Sequence, residues 1–361
     1  MSEVVIGLGF GDEGKGLVTD WRSSQIEKPV VKRYSGGHQA GHCVRTLTEK
    51  HIFSNFGSGT MRGAPTIWNA KTVDPVGFMN EYKLIKKWNP IIQIDPLCPV
   101  TTPWDKIANR DADDITGHGS VGVGFGSTIG REEANVHLYF HDLFYPWVLK
   151  NKVMQIRKFY GNIDTDYSII KEFYSACADM IKIVSTDEIE CSNAIYESSQ
   201  GILLDMDYGI FPHVTRSKLG TQEIKDELDD DTEFYLVTRG YQTRHGNGPC
   251  NTLYYNAEAK DETNSSEGFQ GAFKERVLDL DVLKYAITID PMIRESKNRN
   301  LVITCLDQMP TYEVSCLEHG LVTFNTEEEY LNFIIDFLPE MKYIYISHGG
   351  TAKDITLYKR S

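Results

Sequence analysis

The sequence predicts an α/β fold: a P-loop-like domain with a mostly parallel central sheet flanked by helices. Three observations carry this. Residues 3–8 read as a short buried strand, a glycine loop follows, and Lys15 to about Ile26 can form an amphipathic helix. Further β-type runs recur at 29–34, 192–197, 232–239, 300–306 and 342–347. Helical patterns lie between them at about 75–88, 135–158, 164–185, 279–288 and 326–338. Strands separated by segments of that length favour parallel pairing in a sheet covered on both faces.

Each element has a local reason. Val4-Val5-Ile6 is continuously apolar, as a strand buried on both sides requires. The last helix opens with Thr326 followed by a run of acids, an N-terminal signal. The polar stretches at 220–232 and 257–268 read as surface excursions of a single domain spanning 1–361, because no low-complexity linker or internal repeat divides the chain.

At 361 residues the chain is about twice the ~150 residues of a typical domain, so it can bury a large core without staples. Lys plus Arg minus Asp plus Glu is 37 − 51 = −14. That field repels polyanions, so neither nucleic acid nor an anionic membrane is an expected partner, and an anionic ligand must be held by local geometry. Seven cysteines are scattered without a Cys-x-x-Cys, which indicates reduced thiols rather than a disulfide framework or zinc knuckle. With no basic, apolar leader and no run of the ~20 apolar residues a bilayer needs, a soluble cytoplasmic protein is expected.

The opening loop, Gly9-Phe10-Gly11-Asp12-Glu13-Gly14-Lys15-Gly16, has the spacing of a phosphate loop, in which backbone N–H groups and a lysine cradle phosphate at a helix N-terminus. Gly16 stands where a Ser or Thr usually supplies a hydroxyl to Mg²⁺. Asp12 would repel phosphate unless it binds a metal or takes a proton, so it points to chemistry. The second loop is Gly36-Gly37-His38-Gln39-Ala40-Gly41-His42. Its histidines have the spacing of a metal pair, but the glycines break the helix such a pair needs, and a loop approaching a ligand fits better. A third cluster, Thr116 to Thr128, offers backbone donors and hydroxyls suited to a second anion.

With Glu197-Ser198-Ser199-Gln200-Gly201, Pro212-His213-Val214-Thr215 and Thr243-Arg244-His245-Gly246-Asn247-Gly248-Pro249 added, the chain resembles the adenylosuccinate synthetases. Gly-Asp-Glu-Gly-Lys-Gly followed by Gly-Gly-His-x-Ala-Gly-His is specific in combination. The resemblance implies nucleotide-driven attachment of L-aspartate at C6 of a purine nucleotide through a 6-phosphoryl intermediate. It casts Asp12 as base and Mg²⁺ ligand, the Gly41 carbonyl as a second ligand, His42 as acid, Lys15 as phosphate neutraliser and Gln200 as holder of the 6-substituent. Ser120, Thr215 and Arg131 would bind the nucleotide monophosphate, Arg131 by reaching across a homodimer interface, with Gln39 and Arg244 lining the same site. Glu13, Gly14, Gly16, Cys43, Asp307 and Gly349 would contact the donor nucleotide.

The chain departs from the family pattern at telling places. The aspartate loop reads Phe269-Gln270-Gly271-Ala272-Phe273-Lys274, leaving Gln270, Gly271 and Lys274 to bind aspartate. Ala272 replaces an arginine that in the family also meets the ribose 2′-hydroxyl, and Cys305 replaces the lysine of the guanine-reading Lys-x-Asp. Loss of a buried polar contact shifts discrimination by ~10⁴ where a site is built around it. These departures look like the phage branch that converts dGMP, aspartate and ATP or dATP into N6-succino-2-amino-2′-deoxyadenylate for 2-aminoadenine DNA. That would place the enzyme in a host cytoplasm. Asp12 keeps the ordinary enzyme, using IMP and GTP, as the alternative, and a nucleotide-binding regulator on the same scaffold is the reading from a different class.

Overall fold

In the computed structural model, residues 2–116, 120–258 and 271–360 are described. Among them nine strands form one sheet, in spatial order Ile355–Leu357, Tyr343–Ser347, Arg299–Thr304, Glu233–Arg239, Ser2–Gly7, Ala194–Gly201, Val30–Arg33, Thr66–Trp68 and Ile92–Ile94. Every neighbouring pair is parallel except the antiparallel edge strand Ile355–Leu357.

The first strand shows why the apolar runs are continuous. Val4 and Ile6 pack into one core cluster with Leu280, Leu283 and Tyr330. Val5, pointing the opposite way, packs against Leu17 and Val18 of the helix Lys15–Gln25. Successive side chains thus enter different cores, and both must be apolar. A further cluster around Trp68, Phe78 and Trp104 lies among the helices Pro75–Ile85, Pro103–Thr116, Pro146–Phe159 and Tyr167–Met180. Thr326 caps the last helix as expected, accepting from Glu329 N at 3.2 Å while the Glu329 carboxylate accepts from Thr326 N.

One expectation is corrected. The helix expected over 135–158 is a 3-10 turn, Phe140–Phe144, followed by a helix Pro146–Phe159. Proline forces Tyr145 out of the helical region (φ −120°, ψ 92°), so the helix restarts with Pro146 in its first turn. The 220–232 stretch is largely exposed and is anchored at a few positions. Thr221 and Ile224 are buried, and the Thr221 N–H and hydroxyl both donate to Asp290. Of the 257–268 stretch, 259–268 lies outside the described residues. No helix among the described residues is long and apolar enough to cross a membrane.

Candidate functional site

The glycine loop leaves the first strand through left-handed turns at Gly11 (φ 104°), Asp12 (φ 64°) and Gly14 (φ 98°). A non-glycine residue held there stores strain that the surroundings must over-determine. They do: Arg239 Nε donates to the Asp12 carbonyl, the Thr243 hydroxyl to the Gly11 carbonyl at 3.3 Å and the Thr304 hydroxyl to the Glu13 carbonyl at 2.7 Å.

Inside the loop lies the chain's own carboxylate. Glu13 Oε1 accepts from Gly9 N at 3.0 Å and Gly11 N at 2.8 Å, and its Oε2 is 2.7 Å from Lys15 Nζ. Both side chains are buried. Lys15, expected to neutralise phosphate, is thus paired within the loop, because a buried carboxylate held by N–H groups requires a nearby cation. Glu13, expected at the donor nucleotide, has both carboxylate oxygens engaged here.

Gly16 explains its own departure from a phosphate loop. A Cβ there would lie 2.9 Å from the Cys43 carbonyl oxygen and 3.0 Å from His42 Cβ, so the helix approaches the strand His42–Arg45 too closely for serine. That approach brings the two glycine loops together.

His42, on the second loop, reaches across to the strand Ala194–Gly201, which also carries Gln200. Its Nδ1 lies 2.5 Å from Glu197 Oε1 and its Nε2 2.8 Å from the Ser199 carbonyl oxygen. Both ring nitrogens therefore face acceptors, and both are satisfied only when both carry protons. Burial, reinforced by the Arg33 charge, pulls the His42 pKa down against the pull of Glu197. Nε2 is the nitrogen not anchored to a carboxylate. Burial raises the Glu197 pKa, but His42, Arg33 and Ser58 outweigh it and bring it to about 2. Glu197 had no role assigned from sequence; an ionisable residue within a buried β-type run was the available signal.

Asp12 keeps a carboxylate 31% exposed, with Oδ2 3.3 Å from His245 Nε2. Burial would raise its pKa, but the His245 hydrogen bond and the charges of Arg239 and Lys15 lower it overall, favouring the ionised form a base needs.

Two amides stand open. Gln39 has both its side-chain oxygen and nitrogen buried without a partner, and Gln200 has its oxygen so. Ser120 Oγ accepts from Asn109 Nδ2 and Gly122 N, each at 3.0 Å, on a loop tied to the second one where His38 Nε2 donates to the Val123 carbonyl at 3.1 Å. His38 Nδ1 faces the Thr72 hydroxyl at 3.0 Å, so the two histidines serve different partners. Thr215 N donates to the Leu204 carbonyl, which sets it beside the strand carrying Gln200. Arg244 lies over the Phe10 ring at 4.2 Å and donates to the Pro249 and His213 carbonyls.

Arg131, expected at the nucleotide phosphate across a dimer interface, is held within its own chain. It is fully buried: Nε donates to Asp105 at 2.9 Å, Nη1 to Glu132 at 2.8 Å and Nη2 to the Val100 carbonyl at 2.9 Å. Every nitrogen of this guanidinium is thus matched inside its own chain. Gly41 is exposed, and Cys43 continues from it into the strand His42–Arg45. Cys305 sits at φ 62°, one residue past the strand whose Thr304 holds the Glu13 carbonyl, and Asp307 follows it in a 3-10 turn. Gly349 accepts at its carbonyl from the Ser347 hydroxyl. Lys274 pairs in register with Arg244, Gly271 (φ 74°) packs on Gly246, and Gln270 lies outside the described residues.

A family model described as adenylosuccinate synthetase matches residues 4–359. Among curated relatives, the adenylosuccinate synthetase of Thermosipho africanus is 30% identical over 317 residues, 80% of this chain and 77% of that one. That of Picrophilus torridus is 27% identical over 328 residues, covering 85% and 77%. The fold matches a fully ligated adenylosuccinate synthetase from Plasmodium falciparum at a TM-score of 0.80 with 16% identity, covering 99% of each chain. It also matches the succinoaminodeoxyadenylate synthetase of cyanophage S-2L, bound to dGMP and dATP as an energy donor, at 0.66 with 16% identity, covering 99% and 95%. The chain therefore belongs to the adenylosuccinate synthetase family and is a nucleotide-dependent carbon–nitrogen ligase of purine biosynthesis.

Proposed function

We propose that this enzyme joins L-aspartate to C6 of dGMP at the expense of ATP or dATP, giving N6-succino-2-amino-2′-deoxyadenylate, as a cytoplasmic homodimer. The observation that carries it is the pair of open amides: Gln39 on the second glycine loop and Gln200 on the strand Ala194–Gly201 present buried polar atoms without partners, and buried polar groups of that kind call for a ligand's polar edge. A guanine adds a 2-amino donor to the N1–H and O6 it shares with hypoxanthine, and the Gln39 oxygen is an acceptor able to take it. Ala272 and Cys305 support the choice, since they remove family side chains that favour a ribonucleotide acceptor and a guanine donor. The likeness to a phage synthetase that binds dGMP and dATP supports it too.

Asp12 takes the N1 proton, and the electron pair released moves to O6, which attacks the γ-phosphorus while the nucleoside diphosphate leaves. His42 and the Gln200 amide stabilise the charge gathering at O6 and the phosphoryl group. The amine of aspartate then attacks C6, loses a proton, and expels phosphate. Mg²⁺ fits as a ligand of Asp12 and the Gly41 carbonyl: the carboxylate is partly exposed, Gly41 is exposed, and this ion uses one or two protein oxygens beside substrate phosphates. It would supply charge neutralisation for those phosphates.

The second reading, IMP with GTP, is favoured by the retained Asp12 and by the adenylosuccinate synthetases among the relatives. Incubation with aspartate, Mg²⁺, ATP and either dGMP or IMP, with the succinylated product weighed by mass spectrometry, separates them. Product from IMP alone overturns the proposal.

A further inference from the structure

We propose that His245 is a positioning residue for the Asp12 base, held in place by its pairing with the strand Phe273–Arg276. The inference rests on Asp12 as the base and does not depend on which purine is the acceptor.

The strand Gln242–His245 runs directly beneath the catalytic loop and ends on it. Thr243 holds the Gly11 carbonyl, and two residues later His245 Nε2 meets Asp12 Oδ2 at 3.3 Å. An Nε2–H donates whether the ring is neutral or charged, so the contact fixes one carboxylate oxygen and leaves Oδ1 to receive the N1 proton. A carboxylate partly exposed on a left-handed turn has rotamer freedom that lowers the fraction of time it faces the substrate, and a single donor on the far oxygen removes it.

The other side of the imidazole faces the aspartate loop. His245 pairs in antiparallel register with Phe273, their ring centroids 4.9 Å apart. Gly246 N donates to the Ala272 carbonyl at 3.1 Å, and Lys274 sits opposite Arg244. The segment proposed to bind aspartate is thus zipped, residue by residue, to the strand whose last side chain aims the base.

The test compares His245→Leu with His245→Gln, whose amide nitrogen occupies the place of Nε2, in the full-length enzyme with aspartate, ATP and Mg²⁺, each acceptor nucleotide being tried. His245→Leu should lower kcat at least ~10-fold with KM for nucleotide and aspartate within about threefold, and His245→Gln should recover most of the loss. Unchanged kcat in the leucine variant, a loss confined to KM, or no recovery by glutamine overturns the proposal. Should the leucine variant not fold, His245→Asn, one methylene too short to reach Asp12, must turn over more slowly than His245→Gln, and equal rates overturn it. Asp12→Ala is the control: if it stays active the base assignment itself fails, whereas an inactive Asp12→Ala beside a fully active His245→Leu sinks only the role of His245.

Discussion

Glu13 and Lys15 meet at 2.7 Å inside the glycine loop, both side chains at most 4% exposed, with the carboxylate also capping the N–H groups of Gly9 and Gly11. The loop is therefore built around an internal ion pair, and its shape does not wait for a ligand. Glu13→Ala leaves a buried ammonium and two N–H groups unmatched, which should cost about 3–5 kcal/mol. Urea unfolding measures this, and a loss under ~1 kcal/mol would contradict the internal role.

Asp12 lies outside that pair, its carboxylate partly in solvent. Asp12→Ala should leave nucleotide binding largely intact and lower turnover by ~10² to 10⁴. Calorimetric binding together with steady-state rates checks both halves, and turnover near that of the parent enzyme would remove Asp12 from the chemistry.

The two loop histidines should respond differently. His42→Ala should cost turnover on the scale of Asp12→Ala. His38 is buried between the Thr72 hydroxyl and the Val123 carbonyl, and burial holds its pKa down, so it acts as a neutral pin between two loops. His38→Ala should therefore destabilise by about 1–3 kcal/mol with a much smaller change in kcat. Paired unfolding and rate measurements decide, and a kcat loss equal to that of His42→Ala would refute the distinction.

Glu197 supplies a pH dependence. Its folded pKa of about 2 lies below the ordinary 4.5, so its contribution to stability is complete above the unfolded value and is lost as protons bind between about 4.5 and 2. Thermal midpoints should fall as pH drops through that window. The fall should be shallower in Glu197→Gln, which is less stable at pH 7; parallel curves for the two proteins would show that Glu197 does not carry the acid limb.

Cys305 bears on the donor. With no lysine to read a guanine, ATP or dATP should give a higher kcat/KM than GTP, the remaining recognition falling to groups near Asp307 and the Ser347–Gly350 loop. A steady-state comparison favouring GTP would return the enzyme to the IMP reading.

Much of the architecture was legible because buried parallel strands are local statements. Val4-Val5-Ile6 must be apolar on both faces wherever the strand sits, and Thr326 with Glu329 caps a helix using only its own turn. The strands Thr66–Trp68 and Ile92–Ile94 were not legible, since three residues carry no period to read. Pro146 was visible, but its effect on the helix expected over 135–158 was outweighed by the apolar spacing around it.

By itself, the sequence determined that a carboxylate and a lysine share a glycine loop, that two further glycine clusters and Gln200 belong to one chemistry, and that Ala272 and Cys305 break the pattern. Only the tertiary structure decided which groups meet. His42 finds Glu197 across 155 positions because their strands and loops converge at one end of the sheet. Gly16 is required by a carbonyl on another strand, and Arg131 is sealed by Asp105, 26 positions away. The reason is physical: backbone preference and apolar period act over a few residues, whereas the pairing of a buried charge depends on which distant side chain the packed sheet places within hydrogen-bonding reach.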